Sequence, residues 1–184
     1  MTQGAPAANA APPPGDGGLP PIWPAIRRVV EAFDRASMVV IVLAMAAMTL
    51  MVSLQVFWRY VLSSSIDSAD EVSRLFFVWV IFLAIPHGIK YAVHVGIDLL
   101  VMNLSPRNKD LLFRLVSVAS AVLMAAVFYA AWVATQDKWQ ELMPTLPITA
   151  GVYYVAVLIC AAHSFVHLVL HAWLGPRIWE GRLS

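Results

Sequence analysis

The sequence predicts an all-α membrane protein with four transmembrane helices, on three observations. Hydrophobic residues make up 60% of the 184 positions and mean hydropathy is +0.75, well above the half-apolar composition usual for a soluble domain. Four runs are apolar and long enough to cross a hydrocarbon core of about 30 Å, which takes roughly 20 helical residues. The alternating segments of an outer-membrane barrel are missing, so helices must satisfy the backbone inside lipid.

Residues 1–22 are rich in Pro, Ala and Gly and carry one charge, Asp16. Such a segment buries too little surface to offset its ordering entropy and is expected to be a disordered tail. The first apolar run starts too far from Met1 and is too long for a signal-peptide core, and no small-residue cleavage pattern follows it. It is expected to be retained.

Residues 23–175 form the expected transmembrane domain. Ile26, Val29, Val30 and Phe33 fall on one helical face and Arg27, Arg28, Glu31, Asp34 and Arg35 on the other, which predicts either an interfacial helix leading into the first span or an ordinary cytoplasmic extension of that span. The spans are expected at residues 38–57, 75–93, 111–135 and 148–170. The first contains no charge, and the second holds Pro86, His87 and Lys90 in its last turns. At the start of the third, Arg114 can extend its stem and place its charge in the interface. The fourth has only Tyr, Cys, Ser and His as interior polar residues, and residues 176–184 read as a cytoplasmic tail.

Orientation follows from the cations of the short connections. Nine Lys and Arg residues flank the termini and the connection between spans two and three (Arg27, Arg28, Arg35, Lys90, Arg107, Lys109, Arg114, Arg177, Arg182), against three on the other side (Arg59, Arg74, Lys138). The positive-inside bias therefore puts both termini in the cytoplasm of an inner-membrane protein. Trp58, Tyr60, Trp139, Trp173 and Trp179 lie near span ends, where amphipathic rings sit at headgroup level.

Several function classes are excluded. The single cysteine, Cys160, allows neither an internal disulfide nor a multi-thiolate metal site and reads as core packing. A net charge of +1 gives no sign of a nucleic-acid partner. No phosphate loop, GxSxG or HExxH motif occurs, and the loops are too short to build a catalytic domain. No catalytic, substrate-binding, cofactor or metal residues are expected.

The second span carries the most information. Ser68 followed three residues later by Glu71 has capping-box spacing, so the helix should begin there. Asp70 and Glu71 then lie in its first turn, favoured by the positive end of the helix dipole, with Arg74 in ion-pairing reach. Pro86 removes a backbone hydrogen bond and clashes with the carbonyl of Phe82, which predicts a kink beside Gly88. Beyond it, His87, Tyr91, His94 and Asp98 make one polar stripe, so the segment is expected to bend into an amphipathic cytoplasmic exit, with Lys90 snorkelling to the headgroups. In the third span Ala126, Ala130 and Ala134 recur every four residues, with Ala119, Ala125 and Ala131 nearby; this stripe is read as a contact face, within the four-helix bundle in the first instance or else toward a partner.

FWRYVL at Phe57 to Leu62, DEVSRLFFVWVIFLA at Asp70 to Ala84 and HVGIDLL at His94 to Leu100, in that order and spacing, resemble the small membrane subunit of tripartite ATP-independent periplasmic (TRAP) transporters. The motifs cover about the middle third of the chain, and the four-span layout extends the likeness to the whole. The Trp usual in that family shortly before the acid pair is missing, since Ser68 and Ala69 stand there, so that ring's role is absent or falls to Trp58.

The resemblance implies an accessory permease subunit without chemistry of its own. Its partners would be a large multispan permease that binds sodium and substrate, a periplasmic binding protein that delivers an organic acid, and membrane lipids. The expected interface residues are Arg59, Asp70, Glu71 and Arg74 on the periplasmic side and His87, Lys90, His94 and Asp98 on the cytoplasmic side. The residues agree in one respect: four spans with no evident repeat and little mid-membrane charge offer little from which to build a transport site.

Histidine supplies an alternative. His163, His167 and His171 repeat at i, i+4 and i+8 on the fourth span, and His87 lies toward the same side of the bilayer. Facing imidazoles can ligate haem iron, which would make the chain a haem-b-binding or anchoring membrane subunit of a respiratory enzyme.

Overall fold

The computed structural model describes residues 22–64, 66–90 and 106–175. Four helices account for most of them: α1 (Trp23–Val61), α2 (Ala69–Lys90), α3 (Pro106–Asp137) and α4 (Gly151–Leu174). All four contain a stretch long and apolar enough to cross a membrane, so the chain is an all-α membrane protein as its composition predicts. The tail before residue 22, the exit segment with Tyr91, His94 and Asp98, and residues 176–184 lie outside the described residues.

The amphipathic segment and the first span are one helix. No Gly or Pro occurs between Ala25 and Val61, so nothing interrupts the backbone ladder, and the 39 residues of α1 extend about 58 Å at 1.5 Å per residue. That is nearly twice the hydrocarbon thickness, so one end of α1 must project beyond it. The inward face also differs from the one expected. Trp23, Val30, Asp34, Ser37 and Ala44 are buried, a heptad-like seam, while Val29 is 71% exposed. Trp23 and Val30 pack with Leu170 of α4, joined by Ile26 and Leu174.

Neighbouring helices run antiparallel, as the contacts at their ends show. Gln55 near the end of α1 donates to Asp70 Oδ1 at the start of α2 (2.8 Å), while Lys90 at the end of α2 reaches back to Asp34 near the start of α1. At the start of α3, Arg114 donates to the carbonyls of Ala172 (3.0 Å) and Trp173 (3.2 Å) at the end of α4. Arg114 therefore satisfies carbonyls that the helix end leaves open. Gly175 closes α4 with φ of 86°, a left-handed conformation natural to glycine, and its N–H bonds to the carbonyl of His171 (3.0 Å).

Helix α4 is the one around which the others pack: half of its most apolar stretch is buried within the chain, against 11% for α1 and for α3. Up to Ser164 its buried face is built mostly from small residues, Gly151, Ala156, Cys160, Ala161 and Ser164, which let neighbouring backbones approach. A Cβ on Gly151 would lie 3.0 Å from the Trp139 ring and 3.3 Å from the carbonyl of Thr135. Cys160 is core packing as expected, with its sulfur 3.9 Å from Ser164 Oγ.

The alanine stripe of α3 requires a correction. Ala126 and Ala130 are exposed, and Ser117, Ala121 and Ala131 are the buried small residues of that helix. Intrachain packing uses a seam on roughly the opposite side of the helix, because α4 approaches from the side of Ser117 and not from that of Ala126.

Helix α2 begins at the predicted place, with Val72 N–H on the Ser68 carbonyl (3.0 Å), and remains helical through Pro86 to Lys90.

Candidate functional site

At one end of the bundle, α1, α2 and α4 enclose a cluster of polar side chains, called here the histidine end. Asp34 is the hub. Its Oδ2 accepts from Lys90 Nζ (2.6 Å), and its Oδ1 lies 2.7 Å from His163 Nε2 and 3.1 Å from His167 Nε2. The two imidazole nitrogens are 3.1 Å from each other. The side chains of Asp34 and Lys90 are only 7% and 9% exposed, and His167 is wholly buried. A buried charge is tolerated only when paired and hydrogen-bonded, and this carboxylate has three partners from two other helices.

The surroundings fix the rings. His163 and His167 stand one turn apart on α4, so the helix alone aims both at α1. Phe33 packs edge-on against His163 with centroids 4.7 Å apart, and His87 does the same from α2 at 5.9 Å. His87 Nε2 is 2.7 Å from Ser37 Oγ, whose hydroxyl also lies on the Asp34 carbonyl (2.9 Å). One turn further along α4, His171 Nε2 donates to the carbonyl of Ile89 (3.2 Å) at the end of α2 and packs edge-on against Phe113 of α3. Helix-terminal carbonyls lack intrahelical partners, so His171 completes α2.

Two expectations change here. Lys90 does not snorkel to the headgroups: its ammonium is turned inward because Asp34 supplies a carboxylate at the same depth. Asp34, read as part of the polar face of an interfacial helix, is interior, and so is Ser37 one turn further along. A usable signal existed, since a lysine within an apolar span calls for a carboxylate at its depth, and Asp34 is the last acid before the uncharged run of the first span.

The opposite end, here the loop end, holds the other predicted residues. Arg59, Asp70 and Arg74 are exposed. Glu71 Oε2 accepts from the backbone N–H of Thr145 (2.8 Å) and from its hydroxyl, which ties the start of α2 to the α3–α4 connection. That connection is a short hairpin, with Met143 N–H on the Ile148 carbonyl (2.9 Å) and Ala150 N–H on the Glu141 carbonyl (2.8 Å). Lys138 pairs with Glu141 at 2.5 Å, and this contact holds the lysine above its ordinary pKa. Of the eight predicted interface residues, the structure thus brings His87 and Lys90 into the interior cluster, leaves Arg59, Asp70 and Arg74 at the surface and engages Glu71 with the hairpin; His94 and Asp98 are outside the described residues.

The geometry does not favour a haem. His163 and His167 share one helix face and both turn Nε2 to Asp34, His171 turns Nε2 to a carbonyl, and His87 packs directly on His163. Haem ligation across a bundle needs imidazoles opposed over a slot for the macrocycle; here His87 meets His163 edge to face, and the His163 and His167 rings lie beside each other on one helix with centroids 4.8 Å apart.

Residues 48–177 match the family described as "Tripartite ATP-independent periplasmic transporters, DctQ component". The chain belongs to this family. Among curated proteins, a TRAP transporter small permease protein of Haemophilus influenzae is 24% identical over 134 residues, covering 73% of this chain and 83% of its own. A second one from that organism is 23% identical over 138 residues, covering 75% and 84%. The C4-dicarboxylate TRAP transporter small permease protein DctQ of Vibrio cholerae is 33% identical over 92 residues, half of this chain and 39% of its own. The protein is therefore a TRAP small permease subunit, a multi-pass inner-membrane component of a transporter, and the respiratory alternative is set aside.

Proposed function

We propose that this subunit supports a large multispan permease in sodium-coupled, binding-protein-dependent import of an organic acid, and catalyses no reaction. The single observation that carries the reading is the family match over residues 48–177; the Vibrio relative's name, which specifies C4-dicarboxylates, makes a small dicarboxylic acid the first substrate to test. The exposed apolar surface is in keeping with it. Val42, Leu43 and Leu50 on α1 and Leu115, Val122 and Leu123 on α3 are all more than half exposed in the isolated chain, surface for lipid and for a membrane partner.

Both termini lie in the cytoplasm on this reading, by the nine-to-three excess of cations that flank the termini and the connection between spans two and three in the sequence. The loop end then faces the periplasm and presents Arg59, Asp70 and Arg74, with Glu71 beside them, to the large subunit or the binding protein. His87 and Lys90 contribute indirectly, by holding α2 in place, and His94 and Asp98 would face the partner from the cytoplasmic exit.

The test is deletion of this chain while the large permease and the binding protein are kept, followed by uptake of a labelled C4-dicarboxylate with and without a sodium gradient. Loss of gradient-dependent uptake is expected; undiminished uptake would overturn the supporting role. Arg74→Glu, in a normally inserted chain, should weaken copurification with the large permease, and unchanged copurification would remove Arg74 from the interface.

A further inference from the structure

The supporting role makes no use of the polar chemistry buried at the histidine end. We propose that Asp34, His163 and His167 form a binding site for one divalent transition-metal ion of the zinc class. The three are buried, and their nearest ligand atoms, Asp34 Oδ1, His163 Nε2 and His167 Nε2, make a triangle with edges of 2.7, 3.1 and 3.1 Å. Atoms bound to one metal at about 2.0–2.2 Å stand about 3 Å apart where the bonds meet at right angles. The triangle therefore has the dimensions of one face of a coordination shell whose bonds meet at right angles, and a tetrahedral shell would need its edges to open by some tenths of an ångström.

Ligand chemistry selects the class of ion. Two imidazoles and one carboxylate suit zinc and its first-row neighbours, whereas calcium and magnesium take shells of oxygen. Preorganisation comes from two helices: α4 presents two imidazoles one turn apart, and α1 supplies the carboxylate. Lys90 occupies the other carboxylate oxygen, Oδ2, and so orients Asp34 while leaving Oδ1 toward the imidazoles. Such outer partners usually hold metal ligands in place. Phe33 and His87 pack against the His163 ring and fix its plane. Without the ion, the same atoms are held together by imidazole N–H groups donating to the carboxylate. With it, α1 is clipped to α4 through coordinate bonds at the base of the projecting part of α1.

Metal content decides the matter. The full-length chain, purified in detergent without a histidine tag, is stripped with a chelator and titrated with Zn²⁺, and the bound zinc per chain is measured. One equivalent is expected for the native chain, with affinity falling at least about tenfold to a hundredfold in His163→Gln/His167→Gln, since loss of even an outer partner has effects of that size. Native chain that takes up no stoichiometric zinc overturns the site, and so does undiminished uptake by the double variant. Should the double variant fail to fold, Co²⁺ bound to the native chain is the deciding probe. A visible ligand-field spectrum of nitrogen and oxygen ligands supports the site; a thiolate charge-transfer band, which would point to Cys160, or an unchanged aqua-ion spectrum rejects it.

Discussion

The two ends of the bundle use the same chemistry in different solvents. At the histidine end, Lys90 and Asp34 pair with side chains less than a tenth exposed; at the loop end, Lys138 and Glu141 pair with side chains 43% and 58% exposed. The distances, 2.6 and 2.5 Å, are nearly equal, so geometry does not distinguish them. Solvent does. Removing one member of a buried pair leaves an uncompensated charge in low dielectric, typically destabilising by about 3–5 kcal/mol, whereas exposed pairs contribute about 0–1 kcal/mol. The histidine end is thus a structural joint, and the loop end is a surface held together by weak and exchangeable contacts.

The comparison is tested most strongly at the joint. Lys90→Met should lower the stability of the metal-free chain by about 3–5 kcal/mol, by stranding the Asp34 carboxylate. Circular dichroism of thermal unfolding in detergent checks this, and a small effect would mean that water reaches the cluster. Asp34→Leu combined with Lys90→Met should cost less than the sum of the single changes, because the two residues share one interaction. Additive losses would show that each acts alone.

Next in size is Ser37→Ala, which removes the hydroxyl that meets His87 at 2.7 Å and should cost about 1 kcal/mol. The same measurement applies, with the expectation that α1 and α2 still pack. Glu71→Gln should have a smaller effect on global stability, about 0.5–1 kcal/mol, since its contact with Thr145 is exposed. Its main consequence is local: the 138–150 hairpin loses its tie to α2, so limited proteolysis there should accelerate while the helices remain resistant. Unchanged cleavage would show that the hairpin is fixed by its own hydrogen bonds.

The same contrast explains what could be read in the sequence. Helix number and the Ser68 start of α2 follow from local rules, apolar length and a cap, and these survive any tertiary arrangement. The interior of the histidine end did not follow, because it depends on which face of α1 meets α4. Periodicity put Asp34 with Arg35 and Glu31 on a solvated face; in the structure Asp34 and Ser37 sit on a seam with Trp23, Val30 and Ala44. One helical step separates the two readings, and single-helix patterning cannot choose between them when a long-range partner such as Lys90 decides. The His163, His167 and His171 series marked the correct place on α4 without revealing that its companion was a carboxylate and not a cofactor.

The smallest effect belongs to the exposed pair. Glu141 raises the pKa of Lys138, chiefly by accepting its hydrogen bond. The sign is that of a base with a partner: any stability it confers is present below the lysine's unfolded value and fades as pH rises through the folded one. Solvent exposure of the pair makes that contribution too small to move an unfolding midpoint, so reactivity is the better readout. A raised pKa leaves less free amine, and Lys138 should acetylate more slowly than in Glu141→Gln at mildly alkaline pH, with mass spectrometry following the modified peptide. Added salt should narrow the gap, because an exposed pair is screened over roughly 10 Å at 0.1 M. Salt should leave the Lys90 and Asp34 pair unaffected, since no counterion reaches it. A salt-sensitive joint together with a salt-insensitive Lys138 would reverse the assignment of interior and surface on which the contrast between the two ends rests.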